Sequence, residues 1–141
     1  MTTSRATVRS WLQVQLDAAL VGVGLPVKEV VEHKVDDLVG MTPLVAVLSV
    51  GSSRPRMTFS GTGSSLRFEV QVWVKQRDTG WTNAQAEDAL DDIENRIAAM
   101  YEAATAYNVN YDGDTSVYEV TVSGKPYYLE RIPTLVTLNR S

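Results

Sequence analysis

The side chains able to do chemistry are few and scattered. His33 is the single histidine, and cysteine is absent. Disulfides, thiolate nucleophiles and cysteine-based metal sites are therefore excluded, and any imidazole chemistry has one residue to draw on. His33 lies among Val30, Val31, Glu32, Lys34 and Asp36, which reads as an ordinary strand-end or surface histidine. The densest acidic cluster is Glu87, Asp88, Asp91, Asp92 and Glu94. Paired carboxylates can exchange protons or hold magnesium, but adjacent positions on a helix point roughly 100° apart, so Asp91 and Asp92 diverge. Glu87, Asp91 and Glu94 instead share one helix face, expected to meet solvent or a partner. Asp112-Gly113-Asp114 resembles part of a calcium loop, yet strand patterns flank it and the closing glutamate is missing; a β-turn is expected. Gly61-Thr62-Gly63-Ser64-Ser65 lacks the lysine of a phosphate loop and precedes a strand. Asn139-Arg140-Ser141 matches a glycosylation sequon, which carries no weight without a secretion signal. These residues give no catalytic group, cofactor site or metal site to expect, and the chain reads as a non-enzyme.

Other residues suit assembly better. Trp73 stands on the polar side of a strand, Trp81 in a loop just before a helix, and Arg54 and Arg56 flank Pro55 in a long polar stretch. Tryptophan and arginine are the types that anchor protein interfaces. With Glu87, Asp91 and Glu94 they form the candidate subunit or partner interface. The alternative is structural: a second helix could cover Trp73, and Trp81 could act as a hydrophobic lid on the helix start.

The elements that must position these residues follow from periodicity. Val8, Leu12, Leu16 and Ala19 or Leu20 predict a helix over 4–21, ended by Gly22 and Gly24 with Pro26 beyond. Residues 28–35 suggest a short strand. Leu44 to Val50 is apolar on both faces, as in a strand buried on two sides or covered by a partner. Residues 51–65 are rich in glycine, serine and threonine and read as a mobile loop or a long hairpin with a flexible tip. Leu66 to Gln76 alternates cleanly, with Leu66, Phe68, Val70, Val72 and Val74 on one side. Thr82 and Gln85 have the form of a capping box opening a helix over 83–105. Strands are expected at 108–111, 116–122 and 127–139, with Pro133 marking an edge or a bulge. Short turns favour antiparallel pairing. The expected class is α+β: one antiparallel or mixed sheet, with the N-terminal helix and the long central helix packed on one face.

Size and composition agree with a single domain over 1–141. The 141 residues are 44% hydrophobic and 21% charged, ordinary for a globular domain, and long enough to bury roughly two-thirds of the unfolded surface. The net charge of −4 argues against a general nucleic-acid binder. No apolar run has the length of a membrane span or of a signal-peptide core, so a soluble protein assembled in a reducing cytoplasm is expected.

The order of elements resembles a known family. An N-terminal helix leads to an apolar strand, a Gly/Ser-rich loop, the strand LRFEVQVWVKQ, the helix AQAEDALDDIENRIAAMYEA and a β-hairpin ending in RIPTLVTL. This is similar to the tail-terminator (tail-completion) proteins of long-tailed bacteriophages, including the lambda-type minor tail proteins. The resemblance covers nearly the whole chain by element order, most strongly over 66–103. It implies a structural virion subunit in a homo-oligomeric, hexameric ring at the head-proximal end of the tail. Such a ring caps the tail tube, stops its polymerisation and presents a head-tail joining surface to a connector or neck protein. DNA passes through it without sequence-specific binding, and no membrane is involved. No catalytic residues carry over. The alternatives are another neck or head-completion protein of the same particle and, in a different class, a small-molecule-binding or enzymatic α+β domain, which a deep pocket with converging polar groups would favour.

Overall fold

The computed structural model describes residues 5–35, 42–50, 65–76 and 82–137. Helix α1 spans Arg5–Leu20 and helix α2 spans Asn83–Ala103. The strands are β1 (Glu29–Val31), β2 (Leu44–Ser49), β3 (Ser65–Lys75), β4 (Asn108–Tyr111), β5 (Ser116–Val122) and β6 (Lys125–Thr137). They form one mixed sheet in the order β1-β2-β3-β6-β4, with β5 also paired to β6. The β1–β2 pair is parallel and every other pair is antiparallel. The chain is thus α+β.

Both helices form for the expected reason. Val8, Leu12, Leu16 and Leu20 fall one turn apart on α1 and are fully buried; complete burial of each such side chain stabilises by about 1.5–3 kcal/mol. On α2, Ala86, Leu90, Ile93, Ile97 and Tyr101 make the buried stripe. Thr82 caps α2 reciprocally: its Oγ1 accepts from the Gln85 N–H at 3.2 Å, and its own N–H donates to Gln85 Oε1 at 2.7 Å. The two stripes pack with Val45, Val47, Phe68, Val70, Val72, Ile132 and Val136 into the main core on one face of the sheet. α1 is further tied to β1 by Gln13, whose amide donates to the Val30 carbonyl at 3.0 Å, and by Ser10, whose hydroxyl donates to Glu32 Oε1 at 2.8 Å.

β2 is buried on both faces, as its composition suggests. Val45 and Val47 enter the main core, while Leu44 and Ala46 join Trp73, Tyr127 and Leu129 in a second, smaller core on the opposite face. The β5–β6 hairpin turns on Ser123 (φ 51°) and Gly124 (φ 77°). Two consecutive positive φ values give the type I′ turn whose twist matches antiparallel strands, and the second falls on the residue that adopts it most cheaply.

Pro133 corrects an expectation. It lies neither on an edge strand nor in a bulge but in β6, the strand flanked by β3 on one side and by β4 and β5 on the other. β5 pairs with β6 up to Arg131, and β4 takes over at Thr134. Pro133 therefore sits at the junction of the two partners, where its carbonyl accepts from the Asp112 N–H at 2.8 Å. The nitrogen that cannot donate faces the gap between ladders, so no ladder bond is forfeited. The loop expected over 51–65 falls outside the described residues except for Ser65, which begins β3. No helix among the described residues is long and apolar enough to cross a membrane.

Candidate functional site

Strand alternation places an unusual row on the helix-covered face of β6. Tyr128, Glu130, Ile132, Thr134 and Val136 share that face, with Ile132 and Val136 fully buried in the main core. Two polar side chains are thereby carried inside, Glu130 at 2% exposure and Thr134 at 0%. Thr134 is satisfied. Its hydroxyl donates to the Ile132 carbonyl at 3.2 Å and accepts from the Tyr101 hydroxyl at 2.8 Å. Burial pushes the Tyr101 phenol well above its ordinary range, partly offset by that bond.

Glu130 is not fully satisfied. Its Oε1 is buried with no hydrogen-bond partner, and Glu94 on α2 is near enough to favour its protonated form. Burial first, then the Glu94 carboxyl, then the charge of Asp91, raise Glu130 from 4.5 to about 8. Tyr111 on β4 is near enough to feel both charges. Its phenol is raised by burial and then by the charges of Glu94 and Glu130. The Tyr111 ring lies 5.5 Å from that of Tyr101, tilted by 55°.

An open cleft of about 390 Å³ adjoins this cluster, lined among others by Ala98, Tyr101, Glu102, Val109 and Tyr111. Glu94, Ala98 and Glu102 succeed one another at four-residue steps on α2, so one flank of the helix runs from the acid pair along the cleft. The arrangement sets an aromatic wall near a buried carboxyl of raised proton affinity. Such a site can exchange a proton near neutral pH. Among the described residues, no three carboxylate or histidine side chains converge as a metal site would need.

The expected interface residues separate. Glu94 is half-buried over Glu130, whereas Glu87 and Asp91 are exposed on α2. Asp92 points elsewhere and pairs with Arg96 at 3.1 Å. Trp73 is 7% exposed, which corrects its reading as a surface anchor. Its ring is packed among Leu44, Ala46, Tyr127 and Leu129. Its indole N–H donates to Gln71 Oε1 at 3.2 Å, Gln71 donates to Glu69 Oε2 at 2.6 Å, and Arg131 Nη2 meets Glu69 Oε1 at 2.7 Å. The residues that read as the polar side of β3 are thus a bonded ladder beside a second core. Arg54, Arg56 and Trp81 lie outside the described residues. His33 is exposed just after β1, its Nδ1 3.1 Å from the Lys34 carbonyl oxygen. Asp112-Gly113-Asp114 connects β4 to β5, with Asp112 paired to Arg67 at 3.2 Å.

Glu130 and Tyr111 were missed by inspection of motifs. The signal lay in phase: in YYLERIPTLV, Glu130 and Thr134 keep step with Ile132 and Val136. No protein-family model matches the chain, and no curated protein matches it.

Proposed function

We propose that this chain is a structural virion protein, a tail terminator that assembles as a hexameric ring on the tail tube, stops its polymerisation and offers the head-tail joining surface. The observation that carries this reading is the pair of unlike edges that the sheet presents among the described residues. β1 ends it on one side, and β4 and β5 end it on the other. β5 carries exposed Val117 and Tyr118, at 53% and 47%. An edge strand with exposed apolar residues is a template for strand addition. Joining unlike edges head to tail gives a heterologous contact, which closes into a ring when its rotation permits. The order of elements resembles that of tail terminators, and the net charge of −4 suits a lumen that lets DNA pass without gripping phosphates. The partners in this reading are further copies of the chain, the tail tube protein and a connector or neck protein. Another neck or head-completion role in the same particle rests on the same edges.

The cleft lined by Tyr101, Glu102 and Tyr111 favours a second reading, a small-molecule-binding or enzymatic domain. A buried carboxyl of raised proton affinity near a cleft, here Glu130, is a common mark of a working site.

Light scattering at several concentrations, with and without purified tail tubes, separates the two. A species of six subunits supports the ring. A monomer at every concentration, with tubes present, contradicts it.

A further inference from the structure

Among the described residues β4 is the last strand on its side of the sheet, and one bond fixes which way its peptide groups point. The Asp112 N–H donates to the Pro133 carbonyl at 2.8 Å, so Asp112 faces β6. In an antiparallel ladder the N–H and C=O of one residue point the same way, and successive residues alternate. Asn110 therefore also faces β6, while Val109 and Tyr111 turn their peptide groups outward, to a side that no described strand meets. Their side chains lie on the helix-covered face, opposite Val136 and Thr134. The open cleft of about 390 Å³ is on that side, lined by Val109 and Tyr111 from β4 and by Ala98, Tyr101 and Glu102 from α2, among others. Tyr101 and Val109 are buried there, whereas Tyr111 is 39% exposed and Glu102 is exposed. Outward peptide groups beside a cleft are the two things an added strand uses: the first bind its backbone, the second receives alternate side chains.

We propose that the β4 edge and the cleft between β4 and α2 form a docking site for an extended, basic segment of a partner protein. The segment adds as a further strand, exchanges hydrogen bonds with the Val109 and Tyr111 peptide groups, and sends a side chain into the cleft toward Glu102. Charge selects the occupant. Glu102 is the charged residue of the described lining. The edge strands of the chain itself offer no match: β1 reads EVV, β4 NVNY and β5 SVYEVTV. They carry Glu29 and Glu119 and no lysine or arginine, so a second copy adding one of these strands would set a like charge or none beside Glu102. A basic segment sets the opposite charge there, and the aliphatic stem of its lysine has the exposed Tyr111 ring to lie on. The site leaves β5 to contacts between copies and stands on geometry that holds whether or not the chain caps a tube.

The test is an NMR titration of the intact, isotope-labelled protein with the peptide acetyl-Thr-Val-Thr-Lys-Thr-amide. A few backbone bonds and one ion pair predict an affinity on the order of millimolar. The expected result is a saturable shift of the Val109 and Tyr111 amides with slowed hydrogen exchange at both, while exchange at Asn110, which faces β6, changes little. N-methylation of the peptide at alternate residues isolates the strand-like mode. Of the two phases, the one that blocks the edge facing β4 should abolish binding and the other should spare it. Glutamate in place of the peptide's lysine, or Glu102→Gln in the protein, should weaken binding about two- to fivefold, the scale of an exposed ion pair. Ala98→Leu fills the cleft with a good helix former and should weaken it roughly tenfold, its backbone spectrum reporting that the fold is intact. Shifts that do not saturate, equal binding by both N-methylated phases, or unchanged exchange at Val109 and Tyr111 under saturation overturn the proposal. Protection that appears without peptide and grows with protein concentration assigns the edge to a second copy and overturns it as well.

Discussion

Glu130 on β6, 2% exposed, stands close enough to Glu94 on α2 that burial and then the Glu94 carboxyl hold its pKa well above the usual carboxylate range. The pair sets a pH dependence with a definite sign. In the unfolded chain Glu130 titrates near 4.5, and in the folded protein near 8. Below the lower value both states are protonated and Glu130 carries no penalty. Between the two, the folded state holds a proton that the unfolded chain has released, so stability falls as pH rises. Glu130→Gln keeps a neutral donor near Glu94 and removes the ionisation. Urea denaturation should show the variant more stable than the parent by at least about 1.4 kcal/mol at pH 8, with the gap closing toward pH 5. Parallel stability–pH curves for the two proteins would show that Glu130 ionises freely in the fold.

The bond between Tyr101 and Thr134 makes an asymmetric prediction. Tyr101→Phe removes the donor and leaves the Thr134 hydroxyl on the Ile132 carbonyl, at a cost of about 1 kcal/mol. Thr134→Val leaves a buried phenol without a partner, which costs about 1–3 kcal/mol. Chemical denaturation of both variants checks the order, with Thr134→Val the more damaging.

Trp73 distinguishes a core role from an interface role. Truncation to alanine removes a ring packed against Leu44, Ala46, Tyr127 and Leu129. The expected loss is about 3–5 kcal/mol, read by thermal or urea unfolding of the isolated protein. A surface tryptophan would change stability by less than about 0.5 kcal/mol.

The β5 edge can be blocked without touching the core. Tyr118 and Thr121 are exposed on that strand. Tyr118→Lys with Thr121→Lys spares Val117, the cross-strand neighbour of Glu130, and places charge along the edge, the device by which natural edge strands resist pairing. The double variant should keep the parent's circular dichroism and melting behaviour while losing the multi-subunit species in light scattering.

Much of the architecture was legible because it is local. Val8, Leu12, Leu16 and Leu20 repeat at one-turn steps and form α1 as the spacing predicts. The Thr82–Gln85 capping box begins α2 where expected. β4 and β5 fall on residues 108–111 and 116–122, as their patterns and turns indicate. The parts that failed depend on distant partners. Alternation placed Trp73 opposite the main core but could not show that Leu44, Tyr127 and Leu129 meet it there, from strands far apart in sequence. Pro133 reads as an edge signal until the handover from β5 to β4 along β6 is known. The candidate site was half visible. Glu94 stood out in an acidic run, whereas its partner Glu130 lies 36 residues on in a separate strand, and no local pattern links the two.

In the proposed function the chain caps a tail tube. Negative-stain microscopy of particles assembled without this protein tests it most directly. Tails that overrun their regulated length and fail to join heads are predicted; tails of normal, regulated length joined to filled heads would contradict the account.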